Sequence, residues 1–251
     1  MSRIEGLSGI ASVLSGNLDS LMASMDVAGI EQSVILSIAT RPAHFSSIRA
    51  WSRTIASKRI IPFLSVSPAD PQSRENVRIA AEEGFRGLKF HPYYQDFDLD
   101  DAAMDPVYAE MEEQGLICVC HTGFDHAFPF VRRADPARVL HVIKGFPRLA
   151  FVATHLGAWK DWERAEKELP GANLWIDTSY SLEFMSRDDA RRLILCFPPD
   201  RVLFGSDSPW ADQGRSLALL KGLSLGASRE EAILSGNARA LLAVSGTRKQ
   251  T

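Results

Sequence analysis

No apolar run in this chain is long, no block of basic residues occurs, cysteines are few, and no histidine precedes His44. A membrane-crossing helix needs about 20 consecutive apolar residues, and nothing here approaches that, so no membrane partner is expected. Net charge is −3 with no Lys/Arg cluster, which argues against a nucleic-acid surface. Three cysteines, Cys118, Cys120 and Cys196, make no disulfide framework, and a reducing, cytoplasmic setting fits them. Cys118 and Cys120 stand two apart on one face of a strand and read as small apolar packing residues. The opening MSRIEGLSGIASVLSG lacks the basic start and continuous apolar core of a secretory signal. No linker, low-complexity stretch or shift in composition divides the 251 residues. One domain over 1–251 is expected, with Gly/Ser-rich residues 1–16 as a loose lead-in.

What is present is an alternation. Residues 18–29, 43–57, 71–83, 106–114, 135–146, 159–169, 187–196, 216–223 and 229–243 carry apolar side chains at helical spacing or helix start and stop signals. Between them lie short apolar runs at 33–39, 60–66, 85–90, 116–120, 149–154, 173–178 and 201–205. Ser228 reads as the N-cap of the last helix, and Gly236-Asn237 as a break before a final turn. Continuous apolar strands alternating with helices predict a parallel sheet covered by helices. The length suits a (β/α)₈ barrel, but only seven strands are visible and the first element is a helix, so the missing strand is the first.

Four of these strands end in polar, ligand-capable residues: Lys89-Phe90-His91, Cys120-His121-Thr122-Gly123, Thr154-His155 and Gly205-Ser206-Asp207. Alternation along a strand puts His121 on the face of Ile117 and Val119, His155 on that of Phe151 and Ala153, Asp207 on that of Leu203 and Gly205, and Lys89 and His91 on that of Gly87. In a parallel barrel the last inward residues point into the mouth. Two imidazoles and a carboxylate converging there suit a divalent metal, Zn²⁺ first and Mn²⁺ or another ion second. Such an ion activates a water for attack on an electrophilic carbon, with Asp207 taking the proton. Each residue alone has a plainer reading: a hydrogen-bonded structural histidine, a turn-capping aspartate, an ion-paired lysine. The coincidence of three at the same end of three strands favours the site.

These motifs resemble the amidohydrolase superfamily, in its amidohydrolase-related branch of metal-dependent hydrolases and decarboxylases. The resemblance rests on GLKFHP at 87–92, CHTG at 120–123, THLG at 154–157, RVLFGSDSPW at 201–210 and ILSGNARALL at 233–242. It implies a barrel with a metal at the strand C-termini, His121 as a ligand, His155 as a ligand or acid/base, and Asp207 as ligand and proton acceptor. Lys89 matches a position that in some members is a carboxylated, metal-bridging lysine. The departure is that the family's first-strand His-x-His occurs nowhere here. Either the chain starts late or it is a relative that has lost the strand, and weak or absent metal binding is expected of the chain as written.

The reading expected first is a metal-dependent hydrolase of an ester, lactone or amide, with His155 and Asp207 catalytic, His121, His155 and Asp207 on the metal, and Lys89, His91, Arg132 and Trp210 toward a small-molecule substrate. The second is a non-oxidative decarboxylase of an aromatic or unsaturated acid, with Arg132, Arg133, Tyr93, Tyr94 and Trp210 facing the substrate. The third is a non-catalytic barrel remnant that binds a ligand or partner, its two open edges favouring self-association into a homo-oligomer. A Schiff-base role for Lys89 ranks last, because it leaves the other three without a joint task.

Overall fold

Asn17 accepts from the Ser20 amide and so starts the first described helix, α1 (Leu18–Ala28); Gly29, in the left-handed region, ends it. The computed structural model describes residue 6 and residues 9–245. Of the lead-in, residues 1–5, 7 and 8 lie outside the described residues, as do 246–251. After α1 come β1 (Ser33–Leu36), α2 (His44–Ile55), β2 (Ile60–Phe63), α3 (Ser73–Glu82), β3 (Gly87–Phe90), α4 (Asp105–Gln114), β4 (Ile117–Cys120), α5 (Pro136–Gly145), β5 (Ala150–Ala153), α6 (Trp162–Glu168), β6 (Trp175–Asp177), α7 (Arg187–Cys196), β7 (Val202–Leu203) and α8 (Gln213–Gly222). The last helical stretch runs as α9 (Ala227–Glu231), a π-helical turn (Ala232–Gly236) and α10 (Asn237–Val244). The Gly236-Asn237 break is absent, because the π turn carries the helix across it. Ser228 lies inside α9, whose N-cap is Gly226.

All strand pairings are parallel. β1 pairs β2, and β3 to β7 form one sheet in chain order. A bridge between Leu64 and Leu88 joins the two parts, with Lys89 N donating to Leu64 O at 2.8 Å. The arrangement is that of a (β/α) barrel with seven strands among the described residues. No ladder joins β7 to β1, and between them opens a cleft of about 810 Å³.

Two packed regions follow from strand alternation. The outer one lies under the helices and takes Leu88, Phe90, Cys118, Cys120, Phe151, Ala153 and Ile176. The inner one takes Phe63, Ile117, Val119 and Val152, with Leu241 of α10 filling from the last helix. Gly87 makes this interior close: a Cβ there would stand 2.4 Å from the Phe63 ring and 2.5 Å from Ile117 O. Cys118 and Cys120 are fully buried as packing residues. No helix among the described residues is long and apolar enough to cross a membrane.

Candidate active site

The polar residues at the strand ends gather at one rim, by two routes. Lys89, His91 and His121 stay in alternation with Gly87, Ile117 and Val119 and so point inward as the pattern predicts. His155 does not. Phe151 and Ala153 pack outward under the helices, so alternation would send His155 outward too. The chain instead takes left-handed backbone at His155 (φ 61°) and Leu156 (φ 56°), an uncommon conformation for side chains of this size. Asp177 at the end of β6 holds the turn: its Oδ1 accepts from the His155 amide at 3.0 Å and its carbonyl accepts from the Leu156 amide at 2.7 Å. The imidazole thereby swings inward.

There it meets His121. His155 Nε2 lies 3.0 Å from His121 Nδ1, while His155 Nδ1 lies 3.0 Å from the Ser179 carbonyl. Ser179 is fixed in turn by Asp177, which accepts from both its amide and its hydroxyl. The loops after β4 and β5 are clamped together at Gly123 (φ 88°), where a Cβ would stand 2.0 Å from Trp159 N. Trp159 N donates to Thr122 O at 2.8 Å and Phe124 N to Trp159 O at 2.9 Å.

On its other side His121 stacks on His91, ring centroids 4.1 Å apart and planes at 17°. His121 Nε2 lies 2.8 Å from Phe124 O and 3.9 Å from Asp125 Oδ2, and His91 Nε2 lies 3.4 Å from the same oxygen. Gln95 fixes the loop that carries His91. Its Oε1 accepts from the His91 amide at 2.8 Å, and its Nε2 donates to Ala39 O at 2.8 Å and Val66 O at 2.9 Å. Burial, with Lys89 and His155 beside it, holds the His91 ring well below the usual histidine range. Burial, followed by its histidine neighbours and opposed by Asp125, does the same for His121. Both rings are neutral near pH 7.

Lys89 is only 7% exposed and lines the cleft beside His155 and Asp207. Among the described residues no carboxylate lies within ion-pair distance of its ammonium. A buried cation without a counter-ion is costly and is a ready anion site. Asp207 follows β7 with left-handed backbone (φ 62°). Asp207 is exposed to the cleft. Desolvation by the surrounding protein still pushes its carboxyl above the usual range, against the opposing pull of His155 and Lys89.

The predicted ligand trio is thus only partly drawn together. His121 and His155 touch, but Asp207 does not join them at ligand spacing. Among the described residues, the one set of three donors all within 4.8 Å of one another is His91, His121 and Asp125. His155 Nε2 is turned to the His121 ring instead, and Asp207 leaves β7 through left-handed backbone. Arg132, expected toward a substrate, is held by Asp161 and lies over the Phe124 ring at 5.1 Å. Arg133 pairs with Asp96 at 2.8 Å. Trp210 is half-buried in the turn after Asp207, its amide donating to Asp207 O at 2.9 Å.

An aromatic wall flanks the histidines. Trp159 lies 6.1 Å from the His155 ring and 5.2 Å from Tyr180, with Phe184 and His126 against it. Tyr94 packs edge-on to His91 at 4.5 Å. Burial, with the Asp125 and Asp207 charges, pushes the Tyr94 hydroxyl up to about 12. Sequence reasoning missed Asp125, Asp177, Ser179 and Gln95. Asp177 was within reach of the strand-end argument, since it closes WID. Asp125, Ser179 and Gln95 sit in loops, where no periodicity marks them.

The amidohydrolase family model matches residues 16–244. A search of curated proteins gives no match. Among solved structures, the chain is similar to an uncharacterized TIM-barrel protein from Bordetella bronchiseptica: 22% identity, 98% of this chain and 92% of that one, TM-score 0.81. It is similar to a 5-carboxyvanillate decarboxylase from Novosphingobium aromaticivorans, solved with manganese and 4-hydroxy-3-methoxy-5-nitrobenzoic acid: 18% identity, 89% and 79% covered, TM-score 0.72. It is also similar to a 2,6-dihydroxybenzoate decarboxylase from Rhizobium: 16% identity, 90% and 88% covered, TM-score 0.71. At these identities the likeness establishes the fold.

Proposed function

The chain belongs to the amidohydrolase family, and from that premise we propose that it is an enzyme releasing CO₂ from an aromatic or unsaturated carboxylic acid without oxidation. The observation that carries this reading is Lys89, a buried ammonium facing the cleft with, among the described residues, no carboxylate within ion-pair distance. A substrate carboxylate is the natural counter-ion. The half-buried Tyr94 and Tyr180, beside the histidines, support a flat, unsaturated substrate, and the decarboxylases of the same fold agree.

The manganese of the Novosphingobium structure suggests a divalent ion. His121, His155 and Asp207 do not offer it a common point. The chain's own residues supply the rest. Lys89 orients the carboxylate. Asp207, at the cleft mouth, is the group placed to hand a proton to the carbon that carries the carboxylate. The carbon–carbon bond then breaks, its electron pair returns to the ring, and CO₂ leaves. Water in the cleft reprotonates Asp207. The His155–His121 pair forms the polar wall opposite, kept in place by Asp177 and Ser179.

The test is CO₂ release from a panel of hydroxybenzoates and alkoxybenzoates, with aryl esters and lactones assayed beside them. Release is expected from at least one acid, and both Lys89→Met and Asp207→Asn are expected to lower kcat/KM at least about 100-fold, a loss of roughly 2.7 kcal/mol of transition-state stabilisation. Hydrolysis of an ester or lactone with no CO₂ release from any acid would overturn the reading.

A further inference from the structure

The contacts of the two central imidazoles do not balance in protons. The Ser179 hydroxyl, 3.2 Å from His155 Nδ1, spends its hydrogen on Asp177, and the Ser179 carbonyl, 3.0 Å away, can only accept, so His155 Nδ1 carries its hydrogen and His155 Nε2 presents a lone pair. That lone pair faces His121 Nδ1 at 3.0 Å, which must therefore carry the His121 hydrogen. A neutral His121 is left with a lone pair on Nε2, and this atom faces the Phe124 carbonyl oxygen at 2.8 Å. Two acceptors at that distance repel unless something positive lies between or beside them. A third proton would serve, but it would place an imidazolium in a buried position near Lys89 and His91.

The remaining neighbours are electron-pair donors as well. Asp125 Oδ2 lies 3.9 Å from His121 Nε2 and 3.4 Å from His91 Nε2. In a tetrahedral site with bonds of about 2.1 Å, the ligand atoms stand about 3.4 Å from one another. The observed separations, 2.8, 3.4 and 3.9 Å, bracket that edge.

We propose that His91, His121, Asp125 and the Phe124 carbonyl form a divalent-cation site at the Nε2 edge of His121, across the ring from its contact with His155. Two adjustments accompany binding. The His91 and His121 rings lie stacked at 17°, so one turns to aim its lone pair at the ion. The Tyr94 amide lies 3.4 Å from His91 Nδ1; the ring proton moves from Nε2 to Nδ1, that long contact is given up, and the imidazole stays neutral. The mixed nitrogen and oxygen donors suit Zn²⁺ or Mn²⁺. The site uses no atom of Asp207 or Lys89 and stands whether or not the chain decarboxylates anything.

The experiment is binding. Protein stripped with a chelator is dialysed against Zn²⁺ and, separately, Mn²⁺; the bound metal is counted by mass spectrometry, and the affinity is measured by competition with a chromogenic chelator. One ion per chain is expected. Asp125→Asn and His91→Gln are each expected to weaken binding at least about tenfold, whereas Asp207→Asn leaves affinity within about twofold of the parent. Thermal unfolding without metal checks that each variant folds; should one fail, the other carries the test. Wild-type protein that retains no ion would overturn the proposal. So would loss of the ion in Asp207→Asn with retention in a folded Asp125→Asn or His91→Gln.

Discussion

Lys89 and Asp177 show how differently two buried charged residues can be used. Among the described residues Lys89 has no acid within ion-pair distance, and it is kept in the cleft at a cost to the fold. Lys89→Met is therefore expected to raise stability, on the order of 1 kcal/mol, in the same protein whose turnover it abolishes; urea unfolding beside the CO₂ assay reads both. Asp177 is used as an acceptor instead, its Oδ1 accepting from His155 N, Ser179 N and Ser179 Oγ. Asp177→Ala leaves three buried donors without that acceptor, and a loss of about 3 kcal/mol is expected from urea unfolding. Because Asp177 also keeps the His155 turn in its left-handed conformation, kcat is expected to fall with KM little changed. A purely structural residue would leave the kcat of the folded fraction intact.

At the scale of elements, the site depends on two loops that touch. The segment after β4 and the segment after β5 meet where Gly123 passes Trp159 with no room for a Cβ. Gly123→Ala is expected to cost at least the roughly 1–3 kcal/mol of a side chain forced into positive φ, and more because Trp159 must give way. The readouts are a lower melting temperature and loss of activity together, since separating the loops separates His121 from His155. The last helix contributes differently. Its π-helical turn carries the chain across Gly236-Asn237, and Asn237 Nδ2 donates to Pro199 O at 2.8 Å and Val202 O at 2.7 Å. This ties the helix to β7, the strand whose other edge faces the cleft.

Across the whole molecule, acid sensitivity follows from how α3 and α4 are joined. Glu110 is 1% exposed. Burial alone would raise its carboxyl, but the bonds from Arg74, Gln114 and Arg78 together outweigh it, and the net displacement is downward. The unfolded chain keeps this carboxyl near its ordinary value of 4.5, so between the two values the unfolded state binds more protons. The stability Glu110 contributes is present above that ordinary value and is lost as pH falls through the folded one. The urea midpoint of the wild type is expected to drop more steeply than that of Glu110→Gln between roughly pH 5 and pH 3; parallel slopes would refute the assignment.

The order of helices and strands, the parallel sheet and the inward face of His91, His121 and Lys89 were all legible in the residues. Each rests on local periodicity, and periodicity is a property of neighbours in the chain. The uncovered interval between β7 and β1 was legible too, as a strand count of seven. The joining of His121 to His155 was not, because it depends on left-handed backbone at His155 and Leu156 that breaks the alternation, and on Asp177, over twenty positions away, which holds it. Nor was the place of Asp125, a loop acid four residues after His121. Its nearness to His91 arises only when the ends of β3 and β4 lie side by side. Spacing along the chain dictates which way a side chain leaves a regular element; once the element ends, long-range hydrogen bonds decide the direction, and these exist only in the folded molecule.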